Sequence, residues 1–211
     1  MSLKAYALTT KARFIAFAGL TNLSAAEETV VEIIINSVTE YIENYCQRRF
    51  KETLYTEEVY DGDGSEFIML KQYPLKADST VTLGYRSSTV NKDNWGSIDS
   101  EDYFIDYNSG TLEIANGHFT NQARKFRVTY TAGFDFDNST TFLADTTAGD
   151  IEYATWKLCE TMWARRKGGV GVKAEKLGDY SVTYAKAVFE SPEIKEVLDK
   201  YARVSVGGLR T

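Results

Sequence analysis

The chain has 211 residues with 24 basic and 30 acidic side chains, a net charge of −6, one His, two Cys, two Pro and 43% apolar residues. That length fits one large or two small domains, and the composition is that of a globular protein rather than a disordered or fibrous one. The negative balance excludes broad binding of nucleic acid or anionic membrane by the whole surface, and one His leaves His-based triads and His-rich metal sites short of parts.

Residues 1–20 lack a long apolar core ending in a small-residue cleavage site, so no secretory signal is expected. The most apolar run, residues 30–35, contains Glu32 and stops at Asn36, far short of the ~20 apolar residues of a membrane span. A protein folded in a cytosol, without membrane contact, is therefore expected. Cys46 and Cys159 both fall inside predicted helices and read as reduced thiols acting as small core hydrophobes, with a disulfide or metal pair as the alternative.

Pattern and charge divide the chain into three blocks. Residues 1–50 carry five basic and five acidic groups (net 0), residues 51–147 eight and sixteen (net −8), and residues 148–211 eleven and nine (net +2). The first block predicts two helices. Thr9 or Thr10 caps a short one over 11–18, ended by Gly19. Ser24 and Glu27 then have capping-box spacing. After them Val30, Val31, Ile34, Val38, Tyr41, Ile42 and Tyr45 recur every three or four residues, with Glu28, Glu32, Glu40, Glu43 and Asn44 largely off the stripe.

The middle block changes period. Segments 53–60, 66–70, 80–86, 103–107, 111–114 and 125–131 are rich in Thr, Val, Ile, Tyr and Phe, and Asp61-Gly-Asp-Gly64 and Asn108-Ser-Gly110 separate neighbours as turns. About six antiparallel strands in a small sandwich or barrel are expected. The last block returns to helix over 148–167, capped by Thr147, with Asp150 and Glu152 early and Arg165, Arg166 and Lys167 late. Ile151, Ala154, Leu158 and Met162 form one stripe of that helix, and Trp156, Cys159 and Trp163 a second. A helix apolar on two faces has neighbours on both sides, inside the fold or across a subunit boundary. Gly168-Gly-Val-Gly171 breaks it, a hairpin over 175–184 turns at Gly178-Asp179, and Ser191-Pro192-Glu193 starts a final helix to about Arg203. The expected fold class is α+β: a helical body of about four helices from residues 1–50 and 148–211, with residues 51–147 as an inserted β domain.

Little in the chain reads as catalytic or metal-binding, and no cofactor is expected. Asp61-x-Asp63-x-Ser65 and Asp135-x-Asp137-x-Ser139 begin like calcium loops but lack the glycine at position six and the closing Glu at twelve. Gly168–Lys173 follows a helix and has neither phosphate-loop spacing. Asp102, Asp106 and Glu113 share one predicted hairpin and could in principle work as paired carboxylates, but acidic residues on the wet face of a sheet are ordinary. His118 has no Cys, Asp or Glu close by. Arg165, Arg166 and Lys167, joined by Lys173 and Lys176, are the dense basic cluster; dipole complementation at a helix end accounts for them, and phosphate or acidic-partner contact in a pore is the functional reading.

Taken in order, these segments resemble the head–tail connector, or adaptor, proteins of long-tailed bacteriophages in the versions with a β insertion. The carrying motifs are Tyr41-Ile-Glu-Asn-Tyr-Cys-Gln-Arg-Arg-Phe50, Tyr60-Asp-Gly-Asp-Gly64, Leu70 with Tyr73-Pro74-Leu75, Val128-Thr-Tyr-Thr-Ala-Gly133, the third helix with Trp163, and Lys176-Leu-Gly-Asp-Tyr-Ser-Val-Thr-Tyr184. The resemblance covers most of residues 20–190. It implies a structural, non-enzymatic virion protein: a wedge subunit of a ring, usually twelvefold, docked under the portal protein and joined to a tail or stopper protein. Genomic double-stranded DNA would pass through the channel without sequence-specific binding. It further implies Arg203, Val204, Val206, Leu209 and Arg210 as portal contacts and the basic cluster with residues 168–176 as lining of the channel. The two-faced third helix points to Trp156, Met162 and Trp163 as subunit-interface candidates. Another tail-completion or tail-tube ring protein is the first alternative, and a carbohydrate-binding or hydrolytic β domain the second.

Overall fold

Each helix of the N-terminal block starts where a side chain satisfies its free amides. The computed structural model describes residues 2–87, 93–136, 149–166, 174–177, 180–183 and 191–202. Thr10 accepts from the Arg13 amide at the head of α1 (Lys11–Phe17). At α2 (Ala25–Cys46) the capping box is complete: Ser24 Oγ accepts the Glu27 amide at 3.3 Å and Glu27 Oε2 accepts the Ser24 amide at 3.1 Å. Gln47 ends α2 in the left-handed region, its N–H donating to the Glu43 carbonyl. α3 (Gly149–Arg165) carries Asp150 and Glu152 in its first turn and Arg165 in its last, and α4 (Pro192–Tyr201) begins on its proline. Thr147, the expected cap of α3, lies outside the described residues.

The buried face of α2 is wider than its spacing predicts. Val31, Ile34, Ile35, Val38, Ile42 and Cys46 form it, but Asn36, Thr39 and Glu43 are buried too, while Tyr45 is exposed. The reason lies in residues that have no secondary structure of their own. The Lys4 amide donates to Asn36 Oδ1 at 2.9 Å, Asn36 Nδ2 to the Ser2 carbonyl at 3.2 Å and the Leu8 amide to Thr39 Oγ1 at 3.3 Å. Helix side chains thus supply the hydrogen bonds that an irregular segment needs before Ala7 and Leu8 can be buried. Glu43 likewise accepts the Phe50 amide at 3.4 Å and pairs with Arg49.

The chain divides into two units, Met1–Phe50 with Phe136–Thr211 and Lys51–Asp135. The first holds the four helices and the hairpin of β8 (Ala174–Leu177) and β9 (Tyr180–Thr183). The second holds β1 (Thr53–Gly62), β2 (Phe67–Met69), β3 (Thr82–Arg86), β4 (Trp95–Ile98), β5 (Tyr103–Asp106), β6 (Thr111–Ile114) and β7 (Gln122–Ala132). These seven strands make two antiparallel sheets, β1-β7-β3-β4 and β2-β6-β5, and among the described residues no closed barrel. Both sheets contribute to one core, in which Tyr60, Leu83, Phe126, Val128 and Tyr130 of the first meet Ile68, Tyr103 and Leu112 of the second. The fold class is α+β.

The strand beyond the expected six is β4. Its sequence, Trp-Gly-Ser-Ile, has one glycine and one serine in four residues and gives no strand signal. The glycine is there for its neighbour: a Cβ on Gly96 would stand 2.7 Å from the Tyr85 ring that lies across it. Pairing with β3, in register from Leu83↔Ile98 to Arg86↔Trp95, makes the strand.

Candidate functional site

The three interface candidates on α3 have different surroundings. Trp156 is a core residue at 3% exposure. Phe17 stacks on its ring at 4.9 Å, and its indole N–H donates to Thr9 Oγ1 at 2.7 Å. Thr9 in turn donates to Glu152 Oε1 at 2.9 Å, and the other Glu152 oxygen holds Arg13 at 2.7 Å. Arg13 also donates to the Phe136 carbonyl at 3.2 Å. Burial raises the Glu152 carboxyl above its ordinary pKa, against the lowering pull of Thr9 and Arg13. At Trp156 that face of α3 is closed within the chain by α1 and the segment before it. Met162 and Trp163, about two turns on, are only partly covered.

At the end of α3 the basic residues separate. Arg165 is exposed, whereas Arg166 lies over the Trp163 ring at 3.9 Å and pairs with Glu27 Oε1 at 3.1 Å. Glu27 is the capping-box carboxylate, held below its ordinary range first by the Ser24 amide and hydroxyl and then by Arg166. Arg166 is therefore committed within the chain, a pairing that spacing in sequence does not reveal. Lys176 lies on β8, and Lys167 and Lys173 lie outside the described residues.

The portal-contact candidates Arg203, Val204, Val206, Leu209 and Arg210 also lie outside the described residues. What precedes them is firmly held. Ile194 and Leu198 of α4 are buried, and Tyr45 donates to Asp199 Oδ1 at 2.5 Å, which pushes the Tyr45 phenol up to about 12. Asp150 at the start of α3 accepts from Lys200 at 2.9 Å and Tyr201 at 2.8 Å. Both cysteines are free and buried in this helical unit, and burial pushes the Cys46 thiol up to about 12.

In the β unit the acidic residues of the middle block serve turns and strands. Asp63 accepts the Ser65 amide at 2.9 Å, the geometry of a turn-forming carboxylate, and Asp61 near the end of β1 accepts the Arg124 amide of β7 at 2.5 Å. Asp106 accepts the Asn108 amide at 2.9 Å and the Ser109 hydroxyl at 2.7 Å at the β5–β6 turn. Glu113 lies between Phe67 and Phe104 in register, and Asp102 closes a short 3-10 turn before β5. Among the described residues no group of three or more His, Cys, Asp or Glu is placed to hold a metal ion. No helix among them is long and apolar enough to cross a membrane.

One half-buried polar cluster has no signal in the sequence. Glu58 Oε2 accepts from Tyr60 at 2.5 Å and from Tyr130 at 2.6 Å, and Lys71 reaches Oε1 at 3.2 Å. Burial pushes the Glu58 carboxyl up, but the bonds from Tyr130, Tyr60 and Lys71 outweigh it and hold the group below its ordinary range. The cluster ties β1 and β7 through side chains as well as through the ladder.

Comparison with known proteins gives a consistent picture. No curated protein matches the chain. Among solved structures it is similar to a chain in the neck of an empty GTA particle computed with C6 symmetry, at 13% identity and a TM-score of 0.61, covering 100% of this chain and 98% of that one. A chain of the neck of the native GTA particle computed with C12 symmetry has 14% identity and a TM-score of 0.55 over 100% and 98%. A chain of the virion of the native gene transfer agent particle has 15% identity and a TM-score of 0.53 over 100% and 97%. At such identities the likeness is one of fold. A family model, described as head completion protein, matches residues 7–204. That span takes in all four helices and both sheets, and the chain belongs to the head completion protein family.

Proposed function

We propose that this structural head–tail connector acts as one subunit of a ring at the junction of head and tail, seated on the portal protein on one side and receiving a tail or stopper protein on the other. The observation that carries the reading is the match of residues 7–204 to the head completion family, joined to a fold shared end to end with chains in particle necks. One of those necks was computed with C12 symmetry, which favours twelve copies here. Within the ring, residues 203–211 contact the portal, and α4 holds the root of that segment against α2 and α3. Met162 and Trp163, partly uncovered at the end of α3, belong to the subunit boundary. Arg165 with Lys167, Lys173 and Lys176 lines the channel, and double-stranded DNA passes without sequence-specific contact because such a lining meets only phosphates.

Negative-stain imaging of the purified protein mixed with the portal ring from its own source genome tests this. Added density at one end of the portal, absent with an unrelated ring, is the expected result. A folded protein that leaves the portal bare would move the assignment to a more distal ring of the tail.

A further inference from the structure

Residues 51–135 present two opposite outer faces of unlike chemistry. The two sheets share one core, so the sides away from it point in opposite directions. On the four-stranded sheet, Phe126, Val128 and Leu83 face the core, while Arg127 and Lys125 of β7, Arg86 of β3 and Trp95 of β4 alternate to the outside. Gly84 lets Arg127 lie flat on the sheet, since a Cβ there would stand 3.2 Å from Arg127 Cγ and Nε. The Trp95 ring has a guanidinium on either hand, Arg86 at 5.0 Å and Arg127 at 4.9 Å. Lys125 donates to the Arg86 carbonyl at 2.7 Å. Among the described residues Arg127 has an ion-pair partner on this face, Glu57 at 2.6 Å, whereas Arg86 and Lys125 have none. The face is aromatic and net positive.

The three-stranded sheet is its complement. Ile68, Leu112 and Ile105 pack inward. Outside, Phe67, Glu113 and Phe104 form one row across β2, β6 and β5, and Met69, Thr111 and Asp106 form the next. Phe67, Met69 and Phe104 are 54%, 58% and 63% exposed. Large apolar side chains left in water together, with charge among them, mark a contact surface. This one is apolar and net negative.

A closed ring of identical subunits needs two different patches on each subunit that fit one another. We infer that these two faces are such a pair: the Arg86–Trp95–Arg127 face of one copy packs on the Phe67–Glu113–Phe104 face of a second copy. The inference rests on the ring reading given above. The partner is a copy of this chain because the complement of each face, in sign and in aromatic content, is the other face of the same unit. In the contact, Arg86 and Lys125 gain the carboxylates they lack, Glu113 and Asp106, and Trp95 covers the exposed phenylalanines.

The test uses two full-length variants, each replacing the natural copy during particle production. One reverses the basic face (Arg86→Glu with Lys125→Glu) and the other the acidic face (Phe104→Lys with Glu113→Lys). Circular dichroism on each purified protein establishes that it folds, and copies per purified particle are counted by quantitative mass spectrometry. Each variant alone brings like charges together at every subunit contact, and incorporation falls by about tenfold or more. Produced together, the two fit in alternation around an even-numbered ring, and incorporation returns toward the natural level. Natural-level incorporation of either variant alone overturns the pairing of faces, and so does failure of the mixture to restore it. Absence of the unaltered protein from particles would instead overturn the connector reading beneath it.

Discussion

Two carboxylates, one buried and one half-buried, show how single residues set the stability of each unit, and their pKa values move in opposite directions. Glu152 is 2% exposed and is tolerated because Arg13, Thr9 and the Trp156 N–H close a network around it. Arg13→Met leaves that charge buried without its cation and should cost about 3–5 kcal/mol. Arg13→Met with Glu152→Met removes both charges and should recover most of the loss, and urea titration of the single and double variants measures the difference. In the β unit Glu58 is held below its ordinary range, so the folded state binds its proton less readily than the unfolded chain. Its contribution is full above the unfolded carboxyl value of about 4.3 and is lost as pH falls through the lower folded value. Glu58→Gln should therefore destabilise at neutral pH, with the gap to the natural protein closing below about pH 4. A gap that stays constant across an acid titration would show that Glu58 acts through packing alone.

At the scale of elements, local chemistry made most of the fold legible and contacts remote in sequence made the rest illegible. Ser24 with Glu27 and the Asn108–Gly110 turn are signals a few residues long, and α2, β5 and β6 stand where those signals place them, whereas β1 runs on through Asp61 and Gly62 of the expected turn. β4 is a strand only because β3 is beside it, and its own four residues say nothing of the kind. The burial of Asn36, Thr39 and Glu43 depends on backbone groups at Ser2, Lys4, Leu8 and Phe50, which no periodicity along α2 encodes. Trp156 and Trp163 look alike in the pattern of α3, yet one is closed over by Phe17 and Thr9 and the other keeps part of its ring uncovered. The same reasoning applies to α4, whose ten residues are too few to be stable alone. Its hold includes the bonds from Lys200 and Tyr201 to Asp150. Asp150→Ala should speed amide exchange along 192–202 by about fivefold, the effect of losing roughly 1 kcal/mol, and leave the second half of α3 unchanged. Equal acceleration in both helices would mean that Asp150 supports the whole helical unit instead.

For the whole molecule the distribution of charge matters more than its sum. Sixteen of the thirty acidic side chains fall in residues 51–147, while residues 148–211 are net positive. In the ring proposed above, such a division would keep nucleic acid off the acidic β unit and leave cations for contact with phosphates. Arg166 pairs with Glu27 and lies over the Trp163 ring. Neutralising Arg165, Lys167, Lys173 and Lys176 together as glutamines, with Arg166 left in place, should preserve folding and incorporation into particles while lowering the fraction of particles that retain DNA. Incorporation is read by mass spectrometry of purified particles, and retention by their buoyant density. Loss of incorporation would place these cations at a protein contact. Full retention with normal incorporation would remove them from the channel altogether and leave dipole complementation at the end of α3 as the role of Arg165.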